Sequence, residues 1–340
     1  MVSLETIRAD NAKLRTILGP GTVAVFVGGT SGIGEHTLRE FAKNTDSASI
    51  YVVGRNEAAA STILSELSKQ NSTHKISFIK ADVSLLRNVD TACEEISQKE
   101  KKVNFLFLSP GILAAKGRDD TSEHIPRKLA LHYYSRFRFI SKLQPLLSAP
   151  ATNDEHPTRV VTVLGAGYEG TLNTSDLALQ KSYGMSSCAA HAITMSSLSM
   201  AHLSTQLPNT AFVHTNPGAV RTNIGSDGGW LMTTFKSTTF ALAGLFIKVT
   251  EAEESGERHL WALTSPSFSA ASQKDPRNSA VGIDGFQGSG VYLVGKEGQK
   301  TGNYKILDPL LKEGWARKVW DHTLQFCDDV AKTGRAKSES

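Results

Sequence analysis

Six short apolar runs recur along the first two thirds of the chain: Thr22 to Val27, Ala48 to Val53, Ile76 to Ile79, Val103 to Leu108, Arg159 to Val163 and Thr210 to Thr215. They are rich in Val, Ile and Phe and do not alternate with polar residues, the pattern of strands covered on both faces. Between them lie Ile33 to Asn44, Asn56 to Gln70, Leu86 to Ser97, Glu123 to Leu147 and Ser186 to Leu207, each long enough for a helix. Strands separated by such helices pair in parallel, because right-handed crossovers lay the helices on the sheet faces. The expected fold class is α/β, a doubly wound parallel sheet in a single domain. That domain takes in residues 21–330. A lead-in helix in residues 1–20, ended by Gly19-Pro20-Gly21, precedes it, and a polar tail, residues 331–340, is expected to fray. Residues 217–250, chiefly Gly225 to Val249, follow the sixth run without an obvious strand of their own. Ligands of open α/β sheets sit beyond the carboxyl ends of the strands, so this insertion is placed to cover a substrate.

Composition removes several alternatives. The 340 residues hold 37 Lys and Arg against 33 Asp and Glu, with no basic cluster interleaved with aromatics, so nucleic acid is not expected as a partner. Cys93, Cys188 and Cys327 are too few for a disulfide framework, and no two sit at metal-ligand spacing, so no metal is expected and the thiols read as reduced. The first residues lack the apolar core of a secretory signal, and Trp230 to Val249 is too interrupted by lysine and hydroxyl residues for a membrane span. A cytoplasmic location is expected, with a small molecule as substrate.

The first run leads directly into Gly28-Gly29-Thr30-Ser31-Gly32-Ile33-Gly34 and then a helix. Glycines are needed where a backbone must turn tightly and approach a pyrophosphate, and the helix N-terminus adds unpaired N–H groups and a positive dipole end. The second run closes on Gly54-Arg55-Asn56, with no carboxylate between Ile50 and Asn56. A carboxylate there would pair with a ribose 2′-hydroxyl, whereas an arginine pairs with a 2′-phosphate. The reading is a Rossmann-type domain binding NADP(H) rather than NAD(H).

These residues together resemble the short-chain dehydrogenase/reductase family, from about Gly21 to Val330. The loop GGTSGIG is similar to the family's TGxxxGIG, with Gly28 in place of threonine. Asp82-Val83 matches the pair that contacts the adenine, and Gly111 is the surviving residue of the NNAG that closes the fourth strand. Asn216 to Thr222 resembles the PGxVxT turn, so the resemblance assigns Pro217, Gly218, Val220 and Thr222 to the nicotinamide side of the cofactor. Ala252 to Leu263 and Gly290 to Val294 are similar to the family's last large helix and seventh strand. The resemblance also implies dimers or tetramers formed through the fourth and fifth large helices.

The catalytic positions depart from the family. Gly165 stands where the fifth strand usually ends in a serine. The best match to YxxxK begins at Tyr183 and puts Ser187 in place of lysine; a register one residue later puts Gly184 and Cys188 at those positions. His132, in Leu131-His132-Tyr133-Tyr134-Ser135-Arg136, aligns with the helical asparagine. This LHYYSR and the VLxAGxEG around Gly165 are similar to a divergent, largely fungal branch. Without the lysine a tyrosine near its usual pKa of about 10 is ionised about one part in a thousand at neutral pH, which disfavours alcohol oxidation more than carbonyl reduction. Tyr183 as acid, and His132 as acid, base or relay titrating near neutrality, are the expected catalytic residues. His191, eight residues past Tyr183, is expected to stand back from the reacting groups. Three functions fit this pattern. The first is an NADPH-dependent oxidoreductase reducing a carbonyl of a hydrophobic small molecule or secondary metabolite. The second is a non-redox isomerase, epimerase or cyclase using His132 and Tyr183 for proton transfer, and the third a catalytically silent NADP(H)-binding protein.

Overall fold

The structure, a computed structural model, describes residues 1–113, 117–149, 157–222, 249–273 and 278–336. Seven strands form one sheet: β1 (Val23–Val27), β2 (Ser49–Gly54), β3 (Lys75–Lys80), β4 (Phe105–Leu108), β5 (Thr158–Val163), β6 (Thr210–Thr215) and β7 (Val291–Val294). They lie in the order β3-β2-β1-β4-β5-β6-β7 and every pairing is parallel. The order reverses at β1, which has β2 on one side and β4 on the other, so a crevice opens beyond the carboxyl ends of β1 and β4.

Because successive strand residues point to opposite faces, β1 feeds two cores. Ala24 and Phe26 join Ile50, Val52, Phe105, Phe107 and Val161 beneath α3 (Gly32–Asn44), α4 (Glu57–Gln70) and α9 (Ala252–Thr264). Val23, Val25 and Val27 join Val53, Leu106, Leu108 and Val160 beneath α5 (Leu86–Lys99), α7 (Ser135–Leu147) and α8 (Met185–Gln206). The lead-in segment forms α1 (Leu4–Ala12) and α2 (Leu14–Ile17), with α1 tied to α9 by an Arg8–Glu257 ion pair of 2.8 Å and by Asn11 Nδ2 donating to the Glu257 carbonyl. A short α6 (Arg127–Leu129) precedes α7, and between them Ala130–Tyr134 widens into a π-turn, a feature that recurs at functional sites.

The chain closes with α10 (Tyr304–Lys312) and α11 (Trp315–Thr333). Helix α11 lies on α8 and α7, burying Val319, Trp320, Thr323, Cys327 and Val330. Tyr133 Oη bonds both Ser199 and Thr323, the Tyr134 ring stacks on Phe326 at 4.3 Å, and Arg138 reaches Asp328 at 2.7 Å. Within residues 331–336 the expected fraying is corrected, since α11 continues to Thr333 and Ala336 is buried with its N–H donating to the Glu123 carbonyl; residues 337–340 of that tail lie outside the described residues. The covering insertion expected at Gly225 to Val249 falls almost wholly outside the described residues. Its flanks meet where the Thr250 N–H donates to the Ala219 carbonyl and the Arg221 N–H to the Thr250 carbonyl. Among the described residues no helix is long and apolar enough to cross a membrane.

Candidate active site

A cleft of about 480 Å³ runs along the carboxyl ends of β1 to β6. Its outer half is built by backbone. Gly28 leaves β1 with φ +83° while its N–H donates to the Val53 carbonyl at 2.9 Å, a left-handed step that favours glycine. A side chain on Gly34 would put its Cβ 2.5 Å from Ser109 Oγ and closer still to the Gly28 carbonyl, so the loop and the start of α3 touch backbone to backbone. Ser31 precedes α3 with no capping bond from its own side chain, and the first-turn N–H groups suit an anion. Gly28, Thr30, Ser31, Gly32, Ile33, Gly34, Arg55, Asp82 and Val83 all line the cleft. Two sequence assignments do not. Gly29 is a packing glycine whose Cβ would meet Phe26 and Val52 at 3.1 Å, and Asn56 caps α4, its Oδ1 accepting from the Ala59 N–H at 3.0 Å.

The inner half is lined by Gly111, Pro217, Gly218, Val220 and Thr222, with Ile112, Leu113, Leu131 and Leu164 as apolar wall. Gly218, at φ +69°, turns the chain after β6 so that Thr222 comes against Gly32, where an added Cβ would lie 3.2 Å from the Thr222 methyl.

His132 enters this half from the π-turn. Its Nε2 accepts the Ile112 N–H at 3.3 Å, which places the ring proton on Nδ1, and Nδ1 is buried without a partner among the described residues. Burial first, then Arg136 and Lys128, push its pKa down to about 3. The expectation of an imidazole titrating near neutrality is therefore corrected: His132 is neutral at physiological pH and presents a donor, not a base. One turn later Arg136, only 1% exposed, also lines the cleft. Its guanidinium donates to the carbonyls of Leu131, Leu108, Val163 and Pro110 and to Thr162 Oγ1, at 2.5–3.3 Å, and no carboxylate is among these partners. Burial alone lowers its pKa to about 9, so it stays protonated at neutral pH.

Tyr183 is not brought into the cleft. It packs beside the core just ahead of α8, where burial raises the pKa of Tyr183 and of Cys188, the latter to about 11. Ser187 bonds the Gly184 carbonyl, so neither register of the missing YxxxK motif supplies a cation. A lysine does reach this turn from another element: Lys128 on α6 donates to the Met185 carbonyl at 2.7 Å. His191 is also absent from the cleft lining, its Nε2 bonding the Leu177 carbonyl at 2.9 Å.

Gly165 is held from behind by a buried chain of hydrogen bonds. Its N–H donates to His214 Nε2 at 3.3 Å, His214 Nδ1 and Ser197 Oγ lie 2.9 Å apart, and Ser197 Oγ donates to Glu169 Oε1 at 2.9 Å. The other Glu169 oxygen accepts the N–H groups of Gly167 and Asn303. His214 is fully buried and its pKa is pushed down to about 3, chiefly by that burial. Arg136, Lys128, Glu169 and His214 were missed as site residues. Arg136 and Glu169 stand inside the LHYYSR and VLxAGxEG strings, and Lys128 and Arg136 each lie four positions from His132, one helical turn away.

Comparison with known proteins agrees with this geometry. The pattern of the short chain dehydrogenase family matches residues 22–227, well over half the chain, and the chain belongs to that family. It is 43% identical over 340 residues to an oxidoreductase of Emericella nidulans, covering 97% of this chain and 99% of that one. An oxidoreductase of Emericella variicolor is 35% identical, with 99% of each covered, and a short-chain dehydrogenase/reductase of Stachybotrys chartarum is 26% identical, with 98% of each covered. Among solved structures, an NADPH-bound carbonyl reductase from chicken fatty liver has the same fold at 15% identity and a TM-score of 0.57, covering 84% of this chain and 100% of that one. The protein is an oxidoreductase of the short-chain dehydrogenase type, with the family's parallel sheet and nicotinamide dinucleotide fold.

Proposed function

We propose that this oxidoreductase uses NADPH to reduce a carbonyl group on a hydrophobic small molecule, such as a secondary metabolite. The observation that carries the reading is the outer half of the cleft: a glycine loop meeting the start of α3 backbone to backbone, with Arg55 and no carboxylate at the end of β2. These residues would hold the dinucleotide, with Gly28 to Gly34 on the pyrophosphate, Arg55 on the 2′-phosphate, Asp82 and Val83 on the adenine, and Pro217 to Thr222 on the nicotinamide side. NADPH supplies a hydride when bound.

The inner half favours reduction over oxidation. His132 holds a proton at Nδ1 and is too hard to protonate to act as a base, and Arg136 keeps this end electropositive, which suits negative charge developing on a carbonyl oxygen. Ile112, Leu113, Leu131 and Leu164 offer an apolar wall that matches an apolar substrate, and because Leu113 is 52% exposed the cleft admits water, which would supply the proton that completes the alcohol. Because α11 covers faces of α7 and α8, a pairing of subunits through those two helices is blocked and the chain works as a single subunit. Size-exclusion chromatography with light scattering should return the monomer mass.

The test uses stereospecifically deuterated NADPH with a panel of aryl and alkyl ketones and aldehydes. Deuterium is expected on the carbinol carbon, and NADPH should raise the thermal midpoint more than NADH. Substrate turnover without deuterium transfer would replace the redox reading by an isomerase or cyclase. Absence of any NADPH-induced shift would remove the cofactor.

A further inference from the structure

Buried arginines in this chain are handled in two ways. Arg138, on α7, is matched by Asp90 at 2.6 Å and Asp328 at 2.7 Å. Arg136, two residues earlier, has neutral oxygens as its hydrogen-bond partners and no acidic neighbour among the described residues to offset its burial. A guanidinium bonded to neutral oxygens keeps its net charge, and burial leaves that charge weakly screened. Arg136 also lines the cleft. Of the described lining residues, the charged ones are Arg55, Asp82 and Arg136. The first two stand at the ends of β2 and β3, on the adenosine side, and Arg136 alone stands among the ends of β4 and β5.

The two forms of a nicotinamide cofactor are identical on the adenosine side and differ by one charge at the ring: the oxidised ring is cationic and the reduced ring neutral. Charges at Arg55 and Asp82 therefore act nearly equally on both, whereas one beneath the nicotinamide half distinguishes them. We propose that Arg136 is an uncompensated cation that selects the redox state of the bound cofactor, favouring the neutral reduced form over the cationic oxidised one. This rests on the NADPH reading above and adds a direction to it: the site loads reduced cofactor and releases oxidised cofactor.

Arg136 also ties β4 to β5, and the test has to separate that work from its charge. Arg159 supplies the control. It is equally buried, at the opposite end of β5, donates to the carbonyls of Leu263 and Phe268, and does not line the cleft.

The experiment is equilibrium binding of NADPH and of NADP+ to the full chain, measured separately by calorimetry. Wild type is expected to bind NADPH tighter than NADP+ by on the order of tenfold. Arg136→Met should bring the ratio toward one, Arg136→Lys should keep it, and Arg159→Met should lower stability without changing it. Arg136→Gln, which removes the charge but keeps an amide that can bond the same carbonyls, should also bring the ratio toward one, and it decides the matter if Arg136→Met does not fold. Equal binding of both forms by wild type, or an unchanged ratio in folded Arg136→Met or Arg136→Gln, overturns the role of Arg136 and leaves the dinucleotide site standing. Binding of neither form overturns both.

Discussion

At the ends of β1 to β3 the cleft is shaped by backbone, with glycines whose missing side chains let the loop, α3 and Ser109 close on one another. At the ends of β4 to β6 it is shaped by buried polar side chains: His132, Arg136, and the chain from Gly165 through His214 and Ser197 to Glu169. The first kind of construction is local and insensitive to pH. The second depends on protonation states and on partners distant in sequence, so the two halves should fail under different insults.

Acid should separate them most strongly. His132 and His214 belong to the inner half, His259 on α9 reaches Thr215 at the end of β6, His322 on α11 reaches the Tyr134 hydroxyl, and burial pushes them down to about 3, 3, 4 and 4. Each folded value lies below the unfolded value near 6.5, so between the two the unfolded chain binds more protons and stability rises with pH. The stability is fully present above pH 6.5 and is lost as pH falls toward the folded values, at about 1.4 kcal/mol per unit for each histidine, or about 5 kcal/mol per unit for the four. Thermal midpoints measured from pH 8 down to pH 4.5 should be level at first and then fall steeply below about pH 6. His132→Asn should remove about a quarter of that slope, and a midpoint level down to pH 5 would contradict the assignment of neutral buried histidines.

Two substitutions should divide the halves by what they damage. Glu169→Ala strands the buried Ser197 hydroxyl and removes the acceptor of the half-buried Gly167 and Asn303 N–H groups, at a cost of about 3 kcal/mol. In denaturant melts the midpoint should drop accordingly, while NADPH affinity changes less than about threefold. Gly34→Ala should instead strike cofactor binding. Its Cβ meets the Gly28 backbone, so the loop has to open; about 1–3 kcal/mol of stability is lost, and with it the NADPH-induced thermal shift. If the alanine variant still binds NADPH, the backbone closure at this point is not what forms the pyrophosphate site.

The same contrast decides what could be read from the sequence. Strands such as β5 and β6 and helices such as α3 were legible to within a residue or two, because continuous apolar runs and helical spacing are local signals. The glycine loop was legible because only backbone requirements made it. His132 was located but its charge state was not, since burial and the proximity of Arg136 and Lys128 come from the fold. Glu169, in the loop after β5, meets His214 on β6 through Ser197 on α8, elements separated by dozens of residues, and no spacing announces that. Tyr183 was drawn into the site by resemblance to YxxxK, whereas it packs against the core outside the cleft lining. Asn56 carried a competing local signal, an asparagine just before Glu57 at a helix start, and the capping role took its side chain.

The finest test falls on Arg55, where the outer half uses a side chain rather than backbone. Its neighbour Lys80 is drawn to Glu57 at 2.8 Å, and Arg55 is the cation lining the cleft at the end of β2 among the described residues. The position is exposed, so a bond from Arg55 to a 2′-phosphate is partly screened, and Arg55→Ala should weaken NADPH by about tenfold, near the lower end for a charge-assisted bond. NADH, which lacks the phosphate, should be unaffected, and the NADPH preference of wild type should shrink as salt is raised. Arg55→Asp should go further, offering a carboxylate to a free 2′-hydroxyl and repelling the phosphate, so that the preference reverses. Dissociation constants for both cofactors in both variants check this. Equal losses for NADH and NADPH would mean that Arg55 shapes the turn after β2 and that phosphate recognition lies elsewhere, leaving the outer half to backbone alone.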